Sequence, residues 1–158
     1  MIGLITAIII FNFISFKTNK RLTFNQILHI WTFSVAFQSV FDVFVVYKYE
    51  GYWFFKKNVL EWASILPHLF VVPPANIMFL NWFPFRTKVT KQISYIFLFT
   101  IACVMYEAIT LLPEPWGYFR YGWWKLWHAA IFDPILLLIL LGYYKLVCKA
   151  ENRTRTSF

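Results

Sequence analysis

"CVMYEAITLLPEPWGYFRYGWWKLWHAAIFDP", residues 103–134, is an apolar and aromatic run that nevertheless carries acidic residues. Glu107 precedes its Pro-Glu-Pro turn and Asp133 follows it. Apolar blocks flank the turn on both sides, at residues 93–112 and 126–146. A block of about 20 apolar residues is long enough to cross a hydrocarbon core of roughly 30 Å. The segment therefore predicts two membrane-spanning helices with one acid inside each.

The rest of the chain repeats this alternation of apolar blocks and short charged loops. Of its 158 residues 60% are hydrophobic and 14% are charged, whereas a soluble domain carries about 25% charged residues. Since each isolated span must satisfy its own backbone hydrogen bonds in lipid, helices are expected. The prediction is an all-α integral membrane bundle of about five transmembrane helices that forms a single domain over residues 1–158. The spans are placed at 2–16, 27–47, 62–83, 93–112 and 126–146, followed by a basic tail at 147–158.

Local signals refine two of these blocks. The first lacks a basic leading region and a small-residue cleavage site, so it is interpreted as an uncleaved first span. In the third block, Pro73-Pro74 predicts a break or a kink, because proline removes a backbone donor and clashes with the preceding turn.

The distribution of Lys and Arg predicts the orientation. Ten basic residues fall at one set of block ends and five at the other, which places the N-terminus outside and the C-terminus in the cytoplasm. The net charge of +8 is then explained by basic loops that face anionic lipid, without nucleic acid. The ten are Lys17, Lys20, Arg21, Arg86, Lys88, Lys91, Lys145, Lys149, Arg153 and Arg155, and the five are Lys48, Lys56, Lys57, Arg120 and Lys125.

The outer loops are rich in aromatic residues. Tyr and Trp concentrate at membrane–water interfaces, so these side chains are predicted to form a belt at the lipid headgroups. They are Tyr52, Trp53, Trp116, Tyr118, Tyr121, Trp123, Trp124 and Trp127.

Four titratable residues lie five to seven positions from the predicted outer ends of their helices, and so at similar depths. An ionised acid near the middle of a span costs about 2.5–3.5 kcal/mol, so these groups are expected to face each other, water or a ligand. Further polar residues share their helix faces, including Glu61 and Ser64 beside the histidine. The predicted ligand-binding or proton-coupling residues are Asp42, His68, Glu107, Asp133, Gln38 and Asn76.

Several functions are compatible with such a pocket. A non-enzymatic component that binds a small ligand, a lipid headgroup or a partner helix is favoured. A proton- or cation-coupled transporter, as a homo-oligomer or with a partner membrane protein, is one alternative. An intramembrane enzyme acting on a lipid or isoprenoid, with the acids as general acid and base, is another. The polar groups could also serve only as hydrogen-bonding contacts between helices, with Asp133 paired to Arg120 or Lys125.

The sequence carries no motif of a known chemistry. It contains no H-E-x-x-H, no G-x-S-x-G and no glycine-rich phosphate loop. The four titratable residues come from four separate blocks without a metal-ligand spacing. No catalytic residue, cofactor or metal is therefore predicted.

Three segments carry a resemblance: "FDVFVVYKYEGYW" at 41–53, "PPANIMFLNWFPF" at 73–85 and "YEAITLLPEPWGYFRYGWWKLWHAAIFD" at 106–133. They resemble a family of small multi-pass membrane proteins from spore-forming bacteria. The resemblance covers most of the chain from Phe37 onward and implies a bacterial cytoplasmic membrane, or a spore membrane, as the location. It supports the five-helix layout and implies no activity. The residues that carry it are Asp42, Pro73 or Pro74, Phe83-Pro84, Glu107 and Gly122-Trp123.

Overall fold

The structure is a computed structural model that describes residues 1–56 and 62–156, with side chains described as far as Arg153. Lys57 and Glu61 lie outside these residues, as does the side chain of Arg155. In chain order the elements are α1 (Ile2–Thr18), α2 (Phe24–Asp42), a π-helical segment (Val43–Lys48), β1 (Tyr52–Phe54), α3 (Trp62–Phe70), α4 (Val72–Trp82), α5 (Val89–Thr110), β2 (Phe119–Tyr121) and α6 (Leu126–Thr156).

Four helical stretches of the described chain are long and apolar enough to cross a membrane. They are Phe24–Lys48, Trp62–Trp82, Val89–Thr110 and Leu126–Arg153. α1 is also apolar but has only 17 residues. The chain is therefore mostly helical and compatible with a multi-pass membrane protein, as predicted. α6 continues as one helix to Thr156, so it includes most of the predicted basic tail at 147–158.

The second span begins and ends with distinct local geometry. At its start, Thr23 and Gln26 form a capping box, in which each side chain accepts a hydrogen bond from the other's backbone N–H. At its end, α2 passes after Asp42 into the π-helical segment, where Tyr49 N–H donates to the Phe44 carbonyl at 3.0 Å. This wider turn places Asp42 at the junction of two helix types.

The third span is broken, as the prolines predicted. α3 ends at Phe70 and α4 begins at Val72, with Pro73 and Pro74 in the first turn of α4. Proline is tolerated there because the first N–H groups of a helix have no intrahelical partner. The break positions α3 and α4 separately against their neighbours.

The stretch Trp62–Trp82, which contains α3 and α4, is the most buried of the four, with half of its apolar window inside the protein against 11–28% for the other three. α4 forms the second half of this stretch. It contacts α1, α2, α3 and α6, while α5 packs mainly on α6. Near its end, Asn81 accepts the backbone N–H groups of Lys20 and Arg21 at 3.0 and 3.2 Å and donates to the Thr18 carbonyl at 2.8 Å. We call this side of the bundle the basic end.

At the opposite end, β1 and β2 form an antiparallel pair that the all-α prediction missed; we call this pair the β-lid. Its register pairs Tyr52 with Tyr121, Trp53 with Arg120 and Phe54 with Phe119. Because side chains alternate across a strand, the two tyrosines lie on one face with the two phenylalanines. Tyr52 and Phe119 are buried and Arg120 is exposed, so that face is turned into the bundle.

Candidate functional site

A cavity of about 500 Å³ lies between the helices, and we call it the central cavity. Residues from all six α-helices and from the β-lid line it, and most of them are apolar or aromatic. Its polar lining residues are Ser34, Gln38, Tyr52, Asn76, Cys103, Tyr106, Glu107, Thr110, Tyr118 and Asp133.

Two acids from neighbouring helices reach the cavity wall with different partners. Glu107 of α5 accepts a hydrogen bond from the Tyr121 hydroxyl at 2.6 Å, and Trp124 lies beside the same carboxyl. Asp133 of α6 is half-buried and has no hydrogen-bond or ion-pair partner among the side chains that the structure describes, Arg120 and Lys125 included. Glu107 is therefore held by the β-lid, whereas Asp133 is available to a bound molecule.

Three polar residues of α2 and α4 also line the cavity: Ser34, Gln38 and Asn76. Asn76 of α4 donates to the Ser34 hydroxyl at 2.8 Å, and Ser34 donates to the Ile30 carbonyl at 2.7 Å. Gln38, one helical turn after Ser34, donates to Asp42 at 2.9 Å. The bond between Gln38 and Asp42 links the polar face of α2 that lines the cavity to the acid at the end of the same helix.

Asp42 and His68 form a separate, fully bonded cluster. Asp42 is 4% exposed, and it accepts hydrogen bonds from Gln38 and from the Tyr52 hydroxyl, the latter at 2.5 Å. Its second oxygen contacts His68 Nε2, while His68 Nδ1 faces the Ser64 carbonyl at 3.0 Å. A carbonyl only accepts, so the contact with Ser64 assigns a proton to Nδ1 and turns Nε2 to the Asp42 carboxyl.

The β-lid connects the two acidic groups. Its directly paired residues Tyr52 and Tyr121 each donate a hydroxyl to one acid, Asp42 and Glu107 respectively. Burial, followed by the neighbouring Asp42 carboxyl, raises the pKa of Tyr52 well above its usual value. Burial and the hydrogen bond to Glu107 likewise raise the pKa of Tyr121. Both phenols therefore stay protonated and act as donors across the physiological range.

The structure divides the predicted site residues between two places. Gln38, Asn76, Glu107 and Asp133 line the central cavity. Asp42 and His68 do not line it; they lie behind Tyr52 and Gln38, which contact both places. The expected pocket of four titratable residues is therefore divided: Glu107 and Asp133 line the cavity, whereas Asp42 and His68 are bonded to each other outside its lining.

Sequence reasoning missed the tyrosines that hold the acids. Tyr52, Tyr118 and Trp124 were assigned to an interfacial belt, but each is only 5% exposed and lines the cavity. Trp116 and Trp127 are more than half exposed, as a belt requires. The available signal was two short aromatic-rich runs, one at 52–55 after Gly51 and one at 118–121 between Gly117 and Gly122, since aromatic residues bounded by glycine are typical of short strands.

The residues that the structure describes do not form a metal centre. Among them, no three His, Cys, Asp or Glu side chains are grouped so that they could hold a metal ion.

Fold and site together define a helical bundle with apolar spans and an internal cavity that carries acids. Comparisons of the chain with protein-family models, with curated proteins and with solved structures found no match. The likeness to small membrane proteins of spore-forming bacteria thus stays a resemblance.

Proposed function

We propose that this protein is a non-enzymatic, multi-pass membrane component that binds a small ligand in the central cavity. The observation that supports this proposal is a cavity of about 500 Å³ with an apolar wall and a few polar groups, among them Gln38, Asn76, Glu107 and Asp133. Ligand pockets of roughly 300–1,000 Å³ have this composition. A partner helix, with a diameter of about 10 Å, is a poorer match for a cavity of this volume between six helices and a β-lid.

The proposed location is a bacterial cytoplasmic membrane, with the β-lid facing outward. The excess of Lys and Arg at the basic end supports this orientation. A spore membrane derived from the cytoplasmic one is proposed on the resemblance alone.

Blocking the cavity tests ligand binding. Ala75 lines the cavity, whereas Ala130 is exposed on α6. We expect the purified parent and Ala130→Phe to carry the same copurified small molecule in native mass spectrometry. Ala75→Phe should lose that molecule while it keeps a monodisperse elution profile. Equal occupancy in all three proteins would contradict binding in this cavity.

Cysteine labelling tests the orientation. In a background with Cys103→Ala and Cys148→Ala, Arg120→Cys on the β-lid should react with a membrane-impermeant thiol reagent in intact cells. Lys149→Cys at the basic end should react only after permeabilisation. Both parent side chains are exposed, so access to the reagent depends on the side of the membrane. The opposite labelling pattern would place the β-lid in the cytoplasm.

A proton- or cation-coupled transporter is the second candidate, because Asp133 is an acid in a cavity wall without a described partner. A transporter requires flux across proteoliposomes that Glu107→Gln abolishes. A binding component shows the same ligand occupancy with no flux, which separates the two functions.

A further inference from the structure

Three aromatic rings stand together on the cavity wall that carries the acids. The ring centroids of Phe41 and Trp124 are 6.2 Å apart, those of Phe41 and Phe132 are 6.1 Å apart, and those of Trp124 and Phe132 are 5.3 Å apart. All three residues line the cavity. Phe132 directly precedes Asp133, and Trp124 lies beside the Glu107 carboxyl. Aromatic rings and carboxyl groups thus occupy one region of the wall.

The described lining of the cavity contains acids without basic side chains. No Lys, Arg or His is among the described residues that line the cavity, while Glu107 and Asp133 are. An acid in an apolar cavity is costly unless a partner compensates it. Tyr121 supplies a neutral hydrogen bond to Glu107, but no described side chain does so for Asp133. The wall therefore lacks the positive group that would balance its acids.

A ligand with a positive head and an apolar body would supply this group. Its cation would lie between the carboxyls and the ring faces, where electrostatic attraction and cation–π attraction act together. Its body would fill the part of the cavity lined by aliphatic and phenylalanine side chains of α1, α2, α4 and α6. An anionic ligand would meet two acids and no basic side chain, and a bare metal ion would lack a group of three ligands among the described residues.

We propose that the central cavity binds a lipophilic organic cation, an amine or quaternary ammonium compound with an apolar body. Asp133 is its counter-ion, and Phe41, Trp124 and Phe132 are its aromatic contacts. This inference rests on the proposed function, since it names the class of ligand for the same cavity.

A pair of probes with the same shape tests the charge preference. Benzyltrimethylammonium has a positively charged quaternary nitrogen at the place where 2,2-dimethylpropylbenzene has a neutral quaternary carbon. We expect saturable binding of labelled benzyltrimethylammonium to the protein in nanodiscs of zwitterionic lipid. The neutral probe should compete at least tenfold more weakly than the unlabelled cation.

Variants assign the effect to the wall. Asp133→Asn should weaken cation binding at least tenfold, and Phe132→Leu about threefold, as expected for loss of one cation–π contact. Glu114→Gln removes the same charge from an exposed position near the β-lid and should leave binding unchanged. Asp133→Glu keeps the charge and should retain binding, which separates counter-ion loss from misfolding; thermal melting of each variant checks its fold.

Two results would overturn the inference. Equal binding of both probes, with no effect of Asp133→Asn, would show that the cavity takes neutral molecules. The proposed function would then stand if Ala75→Phe still abolished neutral binding. If neither probe bound the parent protein, the inference that the ligand is a cation would fail. If Ala75→Phe also carried the same copurified molecule as the parent, the cavity would be refuted as a ligand site.

Discussion

His68→Leu is expected to lower the free energy of unfolding by about 3–5 kcal/mol, the usual loss when one partner of a buried charged pair is removed. Asp42 is 4% exposed and contacts His68 Nε2, so leucine would leave the buried Asp42 carboxyl without this polar partner. Reversible unfolding in mixed micelles, followed by circular dichroism, measures the loss.

Asp42→Asn is the matched control. An asparagine keeps an oxygen that accepts from Tyr52 and Gln38, and its amide donates to a neutral His68 Nε2. We expect this substitution alone to change stability by less than about 1.5 kcal/mol, the net value of an ordinary hydrogen bond. Added to His68→Leu, it should recover part of the lost stability because no charge is left to compensate. A His68→Leu protein as stable as the parent would show that the pair does not support the fold.

Gly117→Ala is expected to destabilise the protein by more than about 3 kcal/mol, above the usual range for overpacking. A Cβ atom at Gly117 would lie 1.6 Å from the Leu112 carbonyl oxygen and 2.9 Å from the Thr110 carbonyl oxygen. These are backbone atoms at the end of α5, so no side-chain rotation relieves the contact. The connection that places β2 over the cavity would have to shift.

Gly142→Ala is the control for Gly117→Ala. No atom lies within 4 Å of a Cβ built at Gly142, and alanine favours a helix interior by about 1 kcal/mol over glycine. We expect Gly142→Ala to melt at or above the parent temperature. Equal melting temperatures for the two variants would contradict the close approach at Gly117.

The substitutions Gly117→Ala and His68→Leu should affect binding of the small ligand differently. Gly117→Ala disturbs the element that carries Tyr121, so the Glu107 side of the cavity should lose its hydrogen bond along with stability. His68→Leu acts on the cluster behind Tyr52, away from the cavity wall. We expect the His68→Leu protein to retain ligand binding under conditions in which it is folded. This result would agree with the separation of the Asp42–His68 cluster from the cavity wall.

The helices that are long enough to span a membrane could be predicted from the sequence, because they depend on the composition of their own segments. The apolar blocks at 27–47, 62–83, 93–112 and 126–146 each contain enough residues to cross a bilayer, and each is helical over nearly its whole length in the described structure. The break at Val71 could also be predicted, since Pro73 and Pro74 act on the backbone of their own turn. Such features depend on neighbours a few residues away, which a single sequence displays directly.

The sequence predicted which polar residues lie on the helix faces, but it did not predict their hydrogen-bond partners. Helical spacing identified the faces that carry Gln38, Asp42 and Glu107. It did not distinguish Asp42, whose hydrogen bonds are satisfied within the protein, from Asp133, which has no described partner. That difference depends on side chains supplied by other helices and by the β-lid.

By itself, the sequence determined a set of apolar helices, the break in the third span and the residues that form their polar faces. Tertiary structure alone decided that β1 pairs with β2, that Tyr52 and Tyr121 hold one acid each, and that a cavity is left between the helices. Aromatic residues at helix ends are favoured both by a lipid interface and by a packed core, so composition could not distinguish the two. A cavity is the space that packed helices leave unfilled, and its position is set only when all of them are in place.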